Sequence, residues 1–112
     1  MILASTYEDG LVCQHYGDCR QFKLYYIENN IIVDTKIIDS GEYSHRTLAI
    51  LLHNHNVNAL ICGNLGTHAV LTLSEQNIEI FNGLSGDCDM LASEYLKGNL
   101  TYNPQAVHCC SH

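Results

Sequence analysis

The sequence has few basic residues: five lysines and arginines stand against twelve aspartates and glutamates, and the formal net charge is −7 at pH 7. A protein that binds the phosphate backbone of a nucleic acid needs a basic surface, which this composition cannot supply. The chain also has no apolar run near the roughly 18 residues that a membrane span requires. We therefore expect neither a nucleic-acid partner nor a membrane location.

Other absences concern compartment and catalysis. The first residues lack the basic segment of a signal peptide, so we expect a cytoplasmic protein. No Cys-x-x-Cys motif is present, which argues against thioredoxin-like activity. The predicted first strand, Ile2-Leu3-Ala4-Ser5-Thr6, has no carboxylate for the ions of a two-metal nuclease. Cys–His nucleophilic catalysis stays open on spacing alone, but no signature supports it. We expect a protein that is not an enzyme.

Soft metal ligands, in contrast, are abundant, since the chain has six cysteines and seven histidines. Six cysteines in a secreted protein would suggest disulfides, but in a reducing cytosol they indicate metal or redox chemistry. Most of these residues fall in predicted loops or at predicted helix starts. Thiolate and imidazole groups hold copper, zinc and iron–sulfur clusters, so the pattern favours a metal or metal-cluster binder over an enzyme.

The length of 112 residues and the hydrophobic content of 46% predict one folded domain, which we place at residues 1–103. Alternating strands and helices imply parallel pairing, and a hairpin turning at Asn29-Asn30 adds one antiparallel strand. Residues 104–112 begin at the only proline and are expected to form a flexible, Cys/His-rich tail. Apolar and β-branched runs predict five strands, at 1–7, 22–28, 31–38, 57–62 and 78–81. Apolar residues at helical spacing predict three helices, at 45–56, 67–76 and 87–97.

Three predicted loops follow strands whose carboxyl ends should lie at one edge of the sheet, where ligands of α/β proteins collect. One loop carries His15, and another comprises residues 84–86. The third, Gly63-Asn64-Leu65-Gly66-Thr67, leads into a helix, and its backbone N–H groups are suited to cradle an anion, although it lacks the lysine of a phosphate loop. The sequence therefore predicts a convergent site built from distant segments.

Two histidines are the main candidate ligands at this site. His15 is interpreted as a metal or cluster ligand through a neutral imidazole nitrogen; the alternative is a surface histidine bonded to a loop carbonyl. His45 opens a helix whose N-terminus favours an anion, and a capping or surface role is the alternative. Arg46 can pair with cluster sulfides or with an organic acid. His68 is a further candidate ligand in the first turn of the next helix.

The cysteines have different expected roles. Cys13 and Cys19 flank His15 and can chelate one metal, although their spacing matches no standard zinc motif; Cys19 is predicted as a metal ligand. Cys62 ends a buried strand and is expected to be a packed thiol. Cys88 lies in the first turn of a predicted helix, where the dipole lowers a thiol pKa; core packing is the alternative. The tail is expected to have metal affinity without a defined site, through His108, Cys109, Cys110 and His112.

A series of motifs runs through nearly the whole chain: the strand and turn of 1–10, His15-Tyr16-Gly17, Gln21-Phe22, Ile61-Cys62-Gly63-Asn64-Leu65-Gly66, Ile78-Glu79-Ile80-Phe81 and Gly83-Leu84-Ser85-Gly86-Asp87. Together with the Cys/His-rich tail, these motifs resemble the small stand-alone members of the dinitrogenase iron–molybdenum cofactor biosynthesis family, the group of NifX, NafY and the C-terminal domain of NifB. The resemblance implies a ribonuclease-H-like α/β fold, with helices on both faces of a mixed five-stranded sheet that has one antiparallel strand. It also implies binding, carriage or storage of an iron–molybdenum–sulfur or related metal–sulfur cluster.

Our working hypothesis is that such a cluster docks in a crevice formed by His15, His45 and the loop 63–67. The protein would exchange the cluster with donor and acceptor proteins, and the metal and the oligomeric state are left open. One alternative is a metal- or redox-responsive interaction protein whose cysteines oxidise or bind a single zinc or copper ion. Another is a structural domain whose cysteines only pack.

Overall fold

The computed structural model describes residues 1–40, 45–103, 105 and 107–108, except for the side chains at 45, 46, 107 and 108. These ranges contain seven strands: β1 (Ile2–Tyr7), β2 (Gln21–Glu28), β3 (Ile31–Asp39), β4 (Ala59–Ile61), β5 (Leu65–Gly66), β6 (Glu79–Phe81) and β7 (Val107–His108). They also contain three α-helices: α1 (His45–Asn54), α2 (Thr67–Glu75) and α3 (Cys88–Leu96).

Five of the strands form one mixed sheet in the order β3-β2-β1-β4-β6. β1 is parallel to β4, and β4 is parallel to β6, whereas β2 runs antiparallel to both of its neighbours. The parallel pairs arise because the connecting helices return the chain to the same end of the sheet. β2 is thus the one antiparallel strand, and the predicted α/β, ribonuclease-H-like fold is confirmed.

The hairpin of β2 and β3 turns at Asn29 and Asn30, whose φ angles are 51° and 64°. Both angles lie in the left-handed region, which asparagine tolerates better than most residues with a side chain. The two strands pair along their whole length, with a register shift at Tyr26/Ile27 that marks a bulge in β3. The hairpin predicted around the Asn-Asn pair is confirmed.

Helices cover both faces of the sheet, as predicted. On one face, α1 and α2 pack Leu52 and Leu73 against Leu24 and Leu60 of the strands, and all four side chains are fully buried. Burial of one such leucine contributes roughly 1.5–3 kcal/mol, so this layer is a main source of stability. On the other face, α3 packs into a second cluster that includes Leu3, Tyr25, Ala59, Ile61, Cys88 and Ala92.

The boundary between α1 and β4 differs from the prediction. α1 ends at Asn54, because Asn56 has a φ of 63° and the Val57 N–H donates back to the Leu52 carbonyl at 3.1 Å. Val57 therefore belongs to the turn that ends the helix, and the strand begins only at Ala59. Apolar character alone had extended the predicted strand into this buried turn.

Part of the predicted tail is paired. β7 runs parallel to β5 in a separate two-stranded sheet, with Leu65 opposite Val107 and Gly66 opposite His108. The flexible tail expected for residues 104–112 stays a prediction, and within it these two positions have strand pairing. Residues 109–112, with the predicted ligands Cys109, Cys110 and His112, lie outside the described residues.

Within the described ranges, no helix has the length and apolar character needed to cross a membrane. The longest helix there, α1, has 10 residues.

Candidate functional site

Three loops meet at the edge of the sheet where β1, β4 and β6 end. Loop A comprises residues 8–20 after β1, loop B residues 62–64 after β4, and loop C residues 82–87 after β6. Since β1, β4 and β6 are parallel, their carboxyl ends lie side by side, and the loops that follow are brought together. The predicted convergence of distant segments is present in the backbone.

Loop A is held against loop C by hydrogen bonds. The Val12 N–H donates to the Gly86 carbonyl at 2.9 Å. The side-chain amide of Gln14 donates to the Leu84 carbonyl at 3.1 Å. Backbone groups buried between loops need such partners, and these bonds give loop A one position relative to the end of β6.

Loop A approaches loop B so closely that only a glycine fits between them. A Cβ built on Gly63 would lie 2.7 Å from the Gln14 carbonyl oxygen and 2.8 Å from the Gln14 Cα. Next to it, the Asn64 N–H donates to the same carbonyl at 2.8 Å. Gly63 is therefore required for its missing side chain, and Gln14, which the sequence analysis did not single out, joins all three loops.

These contacts correct the predicted anion cradle of residues 63–67. The Asn64 N–H is bonded to Gln14 and is not free for a cluster sulfide, so the prediction is wrong at this donor. Leu65 is 1% exposed, and Gly66 pairs with His108 in β5. Thr67 begins α2 and is exposed. In the structure, residues 63–67 mainly connect loop A, loop C and β7.

His15 lies where loops A and B meet. Its backbone forms an isolated parallel bridge with Asn64, and its side chain is exposed. It precedes a single 3-10 turn, Tyr16–Asp18, and its side chain makes no capping bond to that turn. An exposed imidazole in this position can reach a metal that approaches from solvent. The structure therefore places the principal predicted ligand beside loop B.

Cys13 and Cys19 form a disulfide, with their Cα atoms 6.0 Å apart. The pairing follows from the 3-10 turn, in which the Asp18 N–H donates to the His15 carbonyl at 2.8 Å and folds the chain back. The metal-ligand role predicted for Cys19 is contradicted in this form, because only a free thiolate is a metal ligand. A reducing environment had been expected to keep both thiols free, and their spacing had not predicted the bond.

The two described free cysteines are buried. Cys62 is completely buried, and burial raises the pKa of its thiol to about 12, which agrees with the expected packed thiol. Cys88 is 1% exposed and accepts a hydrogen bond from the Ser5 hydroxyl at 3.4 Å. Burial raises the pKa of Cys88 although it starts α3, so the structure agrees with the alternative of core packing. Neither sulfur is presented to solvent as a ligand.

Tyr16 belongs to one of the sequence motifs but was not predicted as a site residue, and it is buried. Its ring is 2% exposed and packs edge-on against Phe22, with 6.2 Å between ring centroids. Its hydroxyl has no hydrogen-bond partner among the described residues. Burial and the nearby Cys62 raise the pKa of the Tyr16 hydroxyl, so it is a neutral donor. Tyr16 directly follows His15 in the sequence.

Acidic residues surround the outer side of loop A. A cavity of about 380 Å³ is lined by Tyr7, Cys13 and Gln21 together with charged groups. A neighbouring cavity of about 420 Å³ is lined by loop A alone and includes His15. Carboxylates on this side repel an anionic ligand. The charged groups of the first cavity are Glu8, Asp9, Asp18, Arg20 and Asp39.

The remaining predicted ligands are not brought into one cluster. In the described part of the chain, no group of three or more His, Cys, Asp and Glu side chains is arranged to hold a metal ion. His68 is exposed in the first turn of α2. His45 is the first residue of α1, but its side chain and those of Arg46 and His108 lie outside the described residues.

Comparison with known proteins shows which family this chain matches. A family model described as "Dinitrogenase iron-molybdenum cofactor" matches residues 1–98. The protein MJ0327 of Methanocaldococcus jannaschii is 27% identical over 101 residues, which cover 90% of this chain and 92% of MJ0327. The match includes β1, all three loops and α3.

Solved structures share the fold. The crystal structure of PH0822 superposes with a TM-score of 0.85 at 20% identity, covering 93% of this chain and 96% of that one. The apo form of the orange protein from Desulfovibrio gigas superposes with a TM-score of 0.80 at 20% identity, covering 92% of each chain. At these identities the likeness concerns the fold alone.

Proposed function

This chain belongs to the dinitrogenase iron–molybdenum cofactor family, and we propose that it binds and carries an iron–molybdenum–sulfur or related metal–sulfur cluster without catalysing a reaction on it. The family is associated with the biosynthesis or binding of that cofactor. The observation that carries the proposal is the exposed imidazole of His15 at the junction of loops A and B. The cluster is cargo, taken from a donor protein and passed to an acceptor protein.

His15 is the direct ligand in this proposal. A neutral imidazole nitrogen binds iron or copper, and exposure lets a bulky cluster reach it without opening the core. Backbone bonds of loop A to loops B and C support a fixed position for the residue. A rigid platform with one exposed ligand suits reversible binding, because little of the protein must rearrange when the cargo leaves.

In this proposal the cargo lies between His15 and the start of α1, away from the carboxylates of loop A. The carboxylates around the cavities of loop A disfavour an anionic cluster on the outer side. The start of α1 carries the positive end of a helix dipole and, in sequence, His45 and Arg46. We assign His45 as a ligand or supporting group and Arg46 as the partner of cluster sulfides. Loop B contributes shape through Gly63 more than N–H donors.

Anaerobic reconstitution tests the proposal. The full chain is incubated with iron, molybdate and sulfide, desalted, and examined by visible absorption and metal analysis. We expect the wild type to retain metal and sulfide together, and His15→Ala to retain at least about tenfold less, as loss of a metal ligand or its support usually does. The matched control is His53→Ala, which removes an exposed histidine near the end of α1.

Three outcomes contradict this function. One is a wild type that retains no metal with sulfide under any of these conditions. Another is a His15→Ala variant that retains as much metal and sulfide as the wild type, when both proteins have the far-ultraviolet circular dichroism of a folded protein. Equal losses in His15→Ala and His53→Ala would also contradict it, because they would indicate adventitious histidine binding.

The Cys13–Cys19 disulfide favours a second candidate, a redox-responsive interaction protein. The bond closes a short loop around His15, and two-electron reduction by a dithiol converts it into two thiols on either side of that residue. Reduction would therefore change both the local chain constraint and the ligands around His15. Thiol counting in denaturant should show two additional thiols per chain after reduction. Metal or partner binding that is identical in both forms would contradict this candidate.

A further inference from the structure

β3 is a long edge strand whose outer side has no strand partner in the described part of the chain. It has nine residues, and three of its apolar side chains are well exposed: Ile31 at 62%, Val33 at 55% and Ile37 at 45%. Such an edge offers unpaired N–H and C=O groups to another strand. This edge is separate from the one at which loops A, B and C meet.

The backbone groups that point outward can be identified. Successive residues of a strand direct their hydrogen-bonding groups to opposite sides. The Ile27 N–H donates to the Met1 carbonyl at 2.8 Å on the β1 side, and the Ser40 N–H donates to the Arg20 carbonyl at 2.8 Å beyond the other end of the hairpin. From residue 34 onward, even-numbered residues of β3 therefore bond to β2, and odd-numbered residues face outward.

Thr35 supplies an independent check. Its N–H donates to the Oδ1 atom of Asp34 at 2.9 Å, a local bond typical of an N–H that is not part of a strand ladder. Thr35 thus lies at the middle of β3 with its backbone groups toward solvent. A second strand that bonds to Thr35 would replace this local contact and release the Asp34 carboxylate for another partner.

The sequence of β3 is self-complementary about Thr35. In a two-fold antiparallel pair with its axis at Thr35, Asp34 of one copy lies opposite Lys36 of the other. Opposite charges facing each other across strands stabilise the pair, and like charges destabilise it. Both charged side chains are exposed in the single chain.

Neighbouring registers are excluded by the same rule. In an antiparallel pair, a residue whose backbone groups face outward must lie opposite another such residue. The two-fold axis therefore passes through a residue position and not midway between two residues. An axis at Asp34 would place two aspartates opposite each other, and an axis at Lys36 would place two lysines opposite each other. Among these three axes, the one at Thr35 alone pairs opposite charges.

We propose that two copies of this chain pair through β3 in this register, so that their five-stranded sheets form one continuous sheet. The interface is isologous, since the same strand is used by both copies. Because the two-fold axis is perpendicular to the continuous sheet, the parallel strands of the two copies point in opposite directions. The two sets of loops A, B and C then lie at opposite ends of the dimer, and both remain open.

Charge reversal tests the pairing, with sedimentation velocity of the full chain over a range of concentrations as the measurement. In Lys36→Asp, residues 34 and 36, which lie opposite each other across the interface, are both aspartates. This like-charge pairing should weaken dimerisation by at least about tenfold. The double variant Asp34→Lys with Lys36→Asp restores opposite charges in the same register and should recover dimerisation. Glu75→Lys, on the exposed surface of α2, is a control for a change in net charge.

Cysteine cross-linking tests the axis. In Thr35→Cys the two new cysteines lie opposite each other with Cα atoms about 5.5 Å apart, which a disulfide can span, so mild oxidation should produce a covalent dimer through residue 35. In the matched control Ile37→Cys the two new residues are displaced by four positions, about 13 Å along the strands, and should not cross-link to each other. Peptide mapping distinguishes these bonds from those of the native cysteines.

A wild type that stays monomeric at about 200 μM, far above the micromolar range of an ordinary specific complex, would overturn the proposal. A dimer that is unaffected by Lys36→Asp would overturn it too, because the interface would lie elsewhere. Failure of the double variant to recover, or cross-linking at Ile37→Cys as efficient as at Thr35→Cys, would overturn the register. Circular dichroism of each variant separates these outcomes from loss of folding.

Discussion

Two edges of the same sheet are built in opposite ways. At the carboxyl edge, loops A, B and C bond to one another, and the Gln14 carbonyl accepts a hydrogen bond from Asn64 in a contact that leaves no room for a side chain at Gly63. At the β3 edge, outward backbone groups lack a strand partner among the described residues, and exposed apolar side chains lie on either side of a charged centre.

The difference separates two kinds of interaction surface. At the carboxyl edge, the backbone groups of the three loops form hydrogen bonds within the chain. This edge therefore offers a ligand side chains on a rigid support, above all the imidazole of His15. The β3 edge offers the backbone itself, and its side chains select the register. Substitutions at the first edge should therefore act mainly through stability or metal retention, and substitutions at the second mainly through association.

Gly63→Ala should produce the largest effect at the carboxyl edge. The new methyl group would lie 2.7 Å from the Gln14 carbonyl oxygen, and since that atom belongs to the backbone, loops A and B must move apart. We expect a loss of about 2–3 kcal/mol in the free energy of unfolding, measured by urea denaturation. Metal retention should fall as well, because His15 moves with loop A.

Gly98→Ala is the control for this prediction. Gly98 has a φ of 75° and open space around its Cβ position, so alanine there meets backbone strain without a clash. Its cost should be only about 1 kcal/mol. Equal costs for the two variants would mean that the close contact between loops A and B does not limit stability.

Asn82→Ala should have an intermediate effect on the same edge. Asn82 is 1% exposed in loop C, its side-chain amide donates to the Asn103 carbonyl at 2.9 Å, and its Oδ1 atom accepts from the Asn103 N–H at 2.7 Å. Alanine removes both bonds and should cost about 1–2 kcal/mol by urea denaturation. Asn99→Ala, which removes a solvent-exposed bond to Glu94, should cost less than about 0.5 kcal/mol. The reverse order would show that loop C does not depend on the chain after α3.

Asp89→Asn should have the smallest effect, and it probes the contact between α3 and β2, the strand that pairs with β3. Asp89 lies in the first turn of α3, and its carboxylate accepts from the Lys23 ammonium at 2.8 Å and from the Tyr25 hydroxyl at 2.7 Å, both on β2. These bonds, that of Lys23 first, hold the pKa of Asp89 below its ordinary value of 3.8. Since the carboxylate is 67% exposed, the loss at pH 7 should be less than about 1 kcal/mol.

The pH dependence of this loss has a definite sign. A lowered pKa in the folded state contributes stability above pH 3.8, and that contribution disappears as the pH falls through the lowered folded-state value. The difference between wild type and Asp89→Asn should therefore be present at pH 7 and vanish in acid. Glu75→Gln, an exposed carboxylate in no described ion pair, should show no such difference. A difference for Asp89→Asn that grows toward acid would contradict the assigned contact.

The fold was largely predictable, because it depends on patterns that are local in the chain. The Asn29-Asn30 turn, the β-branched run of β3 and the helical spacing of Leu48, Leu51 and Leu52 each specify an element without reference to the rest of the molecule. The order of these elements then restricted the sheet to a mixed one with a single antiparallel strand. Errors occurred at boundaries such as Val57, where an apolar residue in a buried turn resembles one in a strand.

The site was predictable only as a region. His15 and loop B were expected to meet, and they do, but the expected N–H donor of Asn64 is used by Gln14. The partner of Cys19 is Cys13, and the thiol of Cys88 has a raised pKa in spite of its position at a helix start. In each case a contact or burial that no local pattern encodes determined the chemistry of the group.

The sequence by itself therefore determined the strands, the helices, the negative charge and the segments that carry metal-binding side chains, because hydrophobic period, turn chemistry and composition act over a few residues. Only the tertiary structure decided which of those side chains are free, bonded or buried, and which strand edge is left open. Hydrogen bonding, desolvation and steric exclusion act between atoms that are distant in the chain, so they become defined only when the sheet brings those atoms together.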